Sequence, residues 1–401
     1  MRDPELVHNF KGHKDAITAL HFNPSQKQVA SSSSDGSVML WNWNSDKKAY
    51  RFSAHTDAVL DVNFSRSGHL MASGSRDRSV RLWVPNLKGE STEFKAHLGA
   101  VRSVEFSPEN LRLVTASDDK SVKIWTVHRT RFTQSLAEHT NWVRCARWSP
   151  DGKLVVSCSD DKTIKVWDET SGTCIHTFNE PKGFPQHVAF HPSGSCIGVG
   201  TSDSKVKVYD VRSLKLQQQY SAHEGPVNQV SFHPSGSYLV SASQDKTVRL
   251  FDLLTVKPIC TLYGHEKSVN AVVFSPQGEY FSSGCTDGKI LVWKGNLETN
   301  RATADKENSA PAQSSRLESP VLSLKSNLLR SKENINQVED SISKLVLSND
   351  GTTKESGSGE EILSELRNIS GKLETLTKTV LYMEKRLTLV EDQVKLLNRD
   401  S

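Results

Sequence analysis

A histidine recurs at a fixed step through the first three quarters of the chain. It stands at His13, His55, His97, His139, His223 and His265, with Pro181 in the one slot that breaks the series. The step is 42 residues. An aspartate keeps the same step unbroken through Asp35, Asp77, Asp119, Asp161, Asp203, Asp245 and Asp287. Two aromatic series do likewise: Phe22, Phe64, Phe106, Trp148, Phe190, Phe232, Phe274, and Trp41, Trp83, Trp125, Trp167, Tyr209, Phe251, Trp293. Seven equal units without an insertion mean one supersecondary unit used seven times, a tighter constraint on the fold than any bulk property.

Within a unit the pattern reads as four short strands. In residues 55–97, Ala58 to Phe64 is apolar and β-branched, and Arg66-Ser67-Gly68 turns the chain. A second strand is expected from His69 to Ser73, a tight turn from Gly74 to Arg78, a third strand from Ser79 to Trp83, and a fourth ending at Glu93-Phe94-Lys95. The third strand has Val80 and Leu82 to bury on one face and Trp83 on the other. A strand apolar on both faces belongs between packed sheets, so the expected fold is an all-β seven-bladed propeller over residues 1–298. Leu6 to Lys11 resembles the fourth strand of a unit, while nothing equivalent follows Trp293. Pairing the two ends would close the ring and remove its open edges.

Composition divides the chain near residue 298. All 8 Trp, all 14 Phe and all 6 Cys precede it, and only Tyr382 is aromatic beyond it. Residues 299–358 read as a disordered linker rich in Ser, Asn, Lys, Glu and Thr. It contains KEN-like triplets at Lys306 and Lys332 and a Ser319-Pro320 pair. From Ile362 the apolar residues alternate steps of four and three: Leu366, Ile369, Leu373, Leu376, Val380, Met383, Leu387, Val390, Val394, Leu397. That spacing predicts a self-associating coiled coil over 359–399.

The 50 basic and 46 acidic residues leave a net charge of +4, which excludes a strongly basic nucleic-acid binder. Mean hydropathy is −0.49 and no apolar run suits a spanning helix or a secretory signal, so no membrane role is expected. The six cysteines lack C-x-x-C spacing and read as buried thiols of a reducing compartment. No nucleotide loop, metal cluster or isolated nucleophile–base pair stands out, so neither enzyme nor cofactor is expected.

Gly12-His13, Gly264-His265 and Trp167-Asp168 identify the units as resembling WD repeats. The resemblance implies a hydrogen-bonded tetrad in each of the first four blades. Its members would be His13, Ser33, Asp35 and Trp41; His55, Ser75, Asp77 and Trp83; His97, Ser117, Asp119 and Trp125; and His139, Ser159, Asp161 and Trp167. Blade five departs with Pro181, Thr201, Asp203 and Tyr209, blade six with Phe251, and blade seven with Cys285. Blade five therefore reads either as tolerated drift or as a softer blade open to a partner.

Phe10 to Thr18, Ser75 to Trp83, Phe94 to His97, Val101 to Val104 and Asn141 to Ala146 resemble, more narrowly, the centriolar "proteome of centriole" WD-repeat family. The resemblance spans the propeller and the terminal helix. It implies a scaffold of centrioles and basal bodies that supports centriole assembly, length and integrity, and cilium formation. Its partners would be centriolar scaffold proteins, tubulin or the microtubule wall. Two alternatives are a cullin-type ubiquitin-ligase receptor, suggested by Tyr209-Asp210-Val211-Arg212, and a nuclear RNA-processing scaffold.

In WD propellers the His-bearing loops and the Asp-bearing turns share one face. Arg76, Arg78, Leu98, Arg102, Lys120, Trp142, Arg144, Lys162 and Phe184 are then expected to form a basic, aromatic surface for an acidic partner.

Overall fold

A computed structural model describes residues 3–42, 49–86, 89–221 and 223–297. Among them, 28 strands pair into seven four-stranded antiparallel sheets. Blade four shows the common order: Val143–Trp148, Leu154–Ser159, Thr163–Asp168 and Cys174–Asn179, each strand bonded to the next. The first strands of all seven blades contact one another in a closed ring and so surround the axis. The only helical turn among the described residues is a short 3-10 segment, His128–Thr130. The expected linker and coiled coil, with every residue of its seam, lie outside the described residues.

Burial follows the two-faced patterning of the sequence. Val155, Val156, Cys158, Ile164, Val166 and Trp167 are all buried in the two middle strands of blade four. Cores lie between blades, not within them: Val114 and Ile124 of blade three pack in one cluster with Trp148 and Trp167 of blade four. Stacking is thus what buries each sheet.

Ring closure occurs as the sequence predicts. Strand Glu5–Lys11 is the outer strand of blade seven, antiparallel to Lys289–Lys294, with Leu6 opposite Trp293 and Phe10 opposite Ile290. A register shift falls between Leu6 and His8. No residue of Glu5–Lys11 is fully buried, and the Phe10 ring stacks on Trp41 of blade one at 5.2 Å.

One strand departs from expectation. The second strand of blade two is Met71–Ser75, two residues later than the His69–Ser73 reading. Gly74 is a strand residue there and not the start of a turn. A Cβ on it would lie 2.8 Å from Val101 Cγ1 of the next blade, so its glycine serves close blade packing.

Candidate functional site

The recurring polar residues form a chain of hydrogen bonds that ties the His loop to the Asp turn in each regular blade. In blade four, His139 Nδ1 lies 2.7 Å from Asp161 Oδ2 and Nε2 lies 2.7 Å from Ser157 Oγ. Trp167 Nε1 donates to the same Ser157 oxygen at 2.8 Å. The indole donates to the hydroxyl, the hydroxyl to Nε2, and Nδ1–H to the carboxylate, which fixes the tautomer. Blades one to three repeat this through His13–Ser31–Trp41, His55–Ser73–Trp83 and His97–Thr115–Trp125.

The shared hydroxyl therefore belongs to Ser31, Ser73, Thr115 and Ser157, two residues before the Ser33, Ser75, Ser117 and Ser159 named from the sequence. Those four serines do a different job at the strand end. Ser33 and Ser159 donate to the carbonyls of Asp15 and Asn141, and all four accept the backbone N–H of their blade's aspartate.

Burial holds the imidazoles neutral, lowering His13, His55, His97 and His223 below 6.5 against the opposing pull of their aspartates. Partial burial alone would raise the aspartates. It is outweighed by bonds from the neighbouring hydroxyl, backbone N–H and histidine, so Asp35, Asp119 and Asp161 fall well below the usual range and Asp77 and Asp245 fall to about 2.

Blade five replaces the chain rather than losing it. With Pro181 in the His slot and Val199 in the hydroxyl slot, the buried Glu180 carboxylate accepts from Lys207 Nζ and the Tyr209 hydroxyl. An expectation of a softer blade thus meets a second kind of lock, and only removal of one partner would leave a charge stranded. Blade six keeps His223, Ser241 and Asp245, and the buried Phe251 supplies no donor. In blade seven, His265 Nε2 still meets Ser283 at 2.7 Å, while the buried Nδ1 has no partner. Burial takes this histidine down to about 4.

On the His-loop face the expected residues divide into two groups. Arg102 stacks over Trp142 at 5.3 Å, and Arg144 over Phe184 at 4.9 Å, each arginine reaching an aromatic of the next blade. Trp142 is 46% exposed and Leu98, on the neighbouring loop, 84%. Arg76, Arg78, Lys120 and Lys162 are exposed on the Asp turns. Arg78, Lys120 and Lys162 hold φ near +70°, where blades one and seven use Gly36 and Gly288.

The sequence reading missed Asp118 and Asp160. Arg102 Nη2 donates to Asp118 at 3.2 Å, and Arg144 Nη2 donates to Asp160 at 3.0 Å and Nη1 to Gln186 at 2.9 Å. These two arginines are thus ion-paired and held in place, and their charges are offset. The doublets Asp118-Asp119 and Asp160-Asp161 were the available signal.

A second region went unread. Toward the opposite end of the channel, a cavity of about 450 Å³ is lined by the inner strands and the proline turns after them, including Pro108 and Pro150. Arg147 donates to Asp61 at 3.1 Å and to Ser103 at 2.7 Å. Burial lifts the nearby Glu105 carboxyl to about 7 despite Arg147. Of the cysteines, Cys145, Cys158 and Cys285 are buried, while Cys174, Cys196 and Cys260 are only partly so; all are free thiols.

The fold and its repeated tetrads define a WD40-repeat β-propeller protein. The family model for the WD domain, G-beta repeat, matches residues 4–42 and 46–84. That for the N-terminal domain of nucleolar protein 10-like proteins, a propeller, matches 97–292. Among curated relatives, POC1 centriolar protein homolog A of Danio rerio is 61% identical over 49 residues, 12% of each chain. POC1 centriolar protein homolog B of Xenopus laevis is 53% identical over 49 residues, 12% of this chain and 10% of that one. The Drosophila melanogaster homolog is 46% identical over 50 residues, 12% and 13% of the respective chains. The aligned stretch is about an eighth of each chain, far less than a propeller and a terminal helix together.

Proposed function

We propose that this chain is a non-enzymatic, protein-binding scaffold of centrioles and basal bodies, acting in centriole assembly, length and integrity and in cilium formation. The observation that carries the reading is the 46–61% identity, over about 50 residues, with proteins named as centriolar in fish, frog and fly. The His–Asp–Ser sets resemble a hydrolase triad only singly; five copies tied into strand ends are scaffold. Leu98 and Trp142, exposed on neighbouring His loops, with Arg102 stacked over Trp142 and paired to Asp118, combine apolar area with charge, the composition of a protein-binding surface. Partners of this class would include other centriolar proteins and the microtubule wall. Residues 359–399, as a coiled coil, would pair two propellers and raise their joint affinity through effective concentration.

The test is the distribution of the fluorescently tagged full chain in dividing cells. A focus coincident with a centriole marker is expected. A diffuse signal, or accumulation in nucleoli, would overturn the centriolar reading.

A further inference from the structure

Blade seven differs from the regular blades in three linked ways, two of residue and one of bonding. Where blades one to four and six hold Ser33, Ser75, Ser117, Ser159 and Ser243, blade seven holds Cys285. Where blades one to four and six hold a hydroxyl that bonds the turn aspartate, blade seven holds Lys289, whose Nζ lies 3.3 Å from Asp287 Oδ2 and 3.3 Å from Glu266 Oε1. The third difference is a missing bond. Nδ1 of the histidine meets its aspartate at 2.7–3.1 Å in blades one to four and six, but His265 Nδ1 is buried without a partner. His265 is 8% exposed and Cys285 fully buried.

The unpartnered nitrogen lies in a group able to use it. One ligand atom each from His265, Cys285 and Asp287 lie within 4.8 Å of one another. Tetrahedral ligands at roughly 2.0–2.3 Å from a zinc ion stand about 3.5 Å apart, so side-chain rotations of about an ångström would bring the three together. Nitrogen, thiolate and carboxylate make a borderline-soft set that suits Zn²⁺ and not Mg²⁺ or Ca²⁺. We propose that His265, Cys285 and Asp287 form a zinc-binding site on the His-loop face of blade seven, with water as the fourth ligand.

The surroundings supply what such a site needs. Coordination through Nδ1 moves the imidazole proton to Nε2, which then donates to Ser283, an oxygen with lone pairs for both this proton and the Trp293 indole. The Cys285 thiol proton is released to solvent as the thiolate binds, so affinity rises with pH. Lys289 leaves Asp287 and retains the exposed Glu266 as partner. Zinc would thereby cross-link the His loop to the Asp turn where the hydrogen bond does not.

The test uses the full chain, reduced, stripped with chelator and titrated with Zn²⁺ against a chromophoric competitor, and separately with Co²⁺. Residues 298–401 contain no His or Cys, so tight nitrogen–sulfur ligation reports on the propeller. One equivalent should bind more tightly than about 10 μM, with a thiolate-to-cobalt absorption band and a raised melting temperature. Cys285→Ser restores the residue of the regular blades and should fold normally, yet lose the band and bind at least about 100-fold more weakly. Cys260→Ser should bind as the wild type does. Wild-type affinity weaker than 10 μM, or equal affinity in a folded Cys285→Ser variant, would overturn the site.

Discussion

Removing residues 1–11 is expected to leave a chain that aggregates, or melts far below the intact one. The deleted strand contributes the whole outer ladder of blade seven, from Glu5 opposite Lys294 to Lys11 opposite Lys289, and the Phe10–Trp41 stack onto blade one. At about 0.5–1.5 kcal/mol per hydrogen bond, the ladder is worth several kcal/mol, a large part of the stability of an ordinary domain. The loss also bares the edge of Lys289–Lys294, whose Ile290, Leu291, Val292 and Trp293 are buried. An apolar strand with unpaired backbone groups is a template for association. Thermal unfolding with light scattering reads both effects. A truncated chain that stays monomeric and melts at the original temperature would show that the closing strand is dispensable.

The second large effect is acid unfolding in two stages. The folded chain keeps His13, His55, His97 and His223 neutral below their ordinary 6.5, mainly through burial. The unfolded chain protonates them near 6.5, so it takes up more protons and stability falls as pH drops from there. The turn aspartates act lower. Asp77 and Asp245 have folded values of about 2 against 3.8 unfolded, and Asp35, Asp119 and Asp161 are depressed as well. Their contribution is complete above about pH 4 and is lost as pH falls toward 2. The denaturant midpoint should decline from pH 6.5 to 4 and collapse below 4. Glu105, lifted to about 7, and Asp61, raised by burial, act in the opposite direction over this range. The comparison is therefore made in a Glu105→Gln, Asp61→Asn background, where a midpoint flat between pH 7 and 4 would mean that the histidines do not hold the loops.

The period of 42 made the blade count and the closing strand legible, because each depends on positions and not on contacts. The hydroxyl of the tetrad was also legible, by a comparison of series. Ser31, Ser73, Thr115 and Ser157 continue to Val199, losing their hydroxyl in the same blade that loses its histidine and tryptophan. The Ser33 series keeps Thr201 there, as expected of a residue that serves the turn alone. What could not be read was compensation across the sheet. Glu180, in the loop that follows Cys174–Asn179, meets Lys207 and Tyr209 of strand Val206–Asp210, and Asp118 and Asp160 cancel the charges of Arg102 and Arg144. A list of basic residues therefore overstated the positive character of the face. Gly74 misled for a related reason, since its tight neighbour Val101 belongs to the next blade.

Those aspartates also decide which residues to change. Reversing Arg144 would set a carboxylate against Asp160 in a partly buried place, damaging the fold along with the surface. Leu98 and Trp142 are exposed and can be cut back at little cost to stability. The most direct measurement is centriolar recruitment of the tagged full chain carrying Leu98→Ser and Trp142→Ser, checked for an unchanged melting temperature. With about 1–2 kcal/mol lost per hot-spot residue, the centriolar signal should fall tenfold or more relative to wild type. A well-folded double variant recruited as strongly as the wild type would contradict the claim that this face binds the partner.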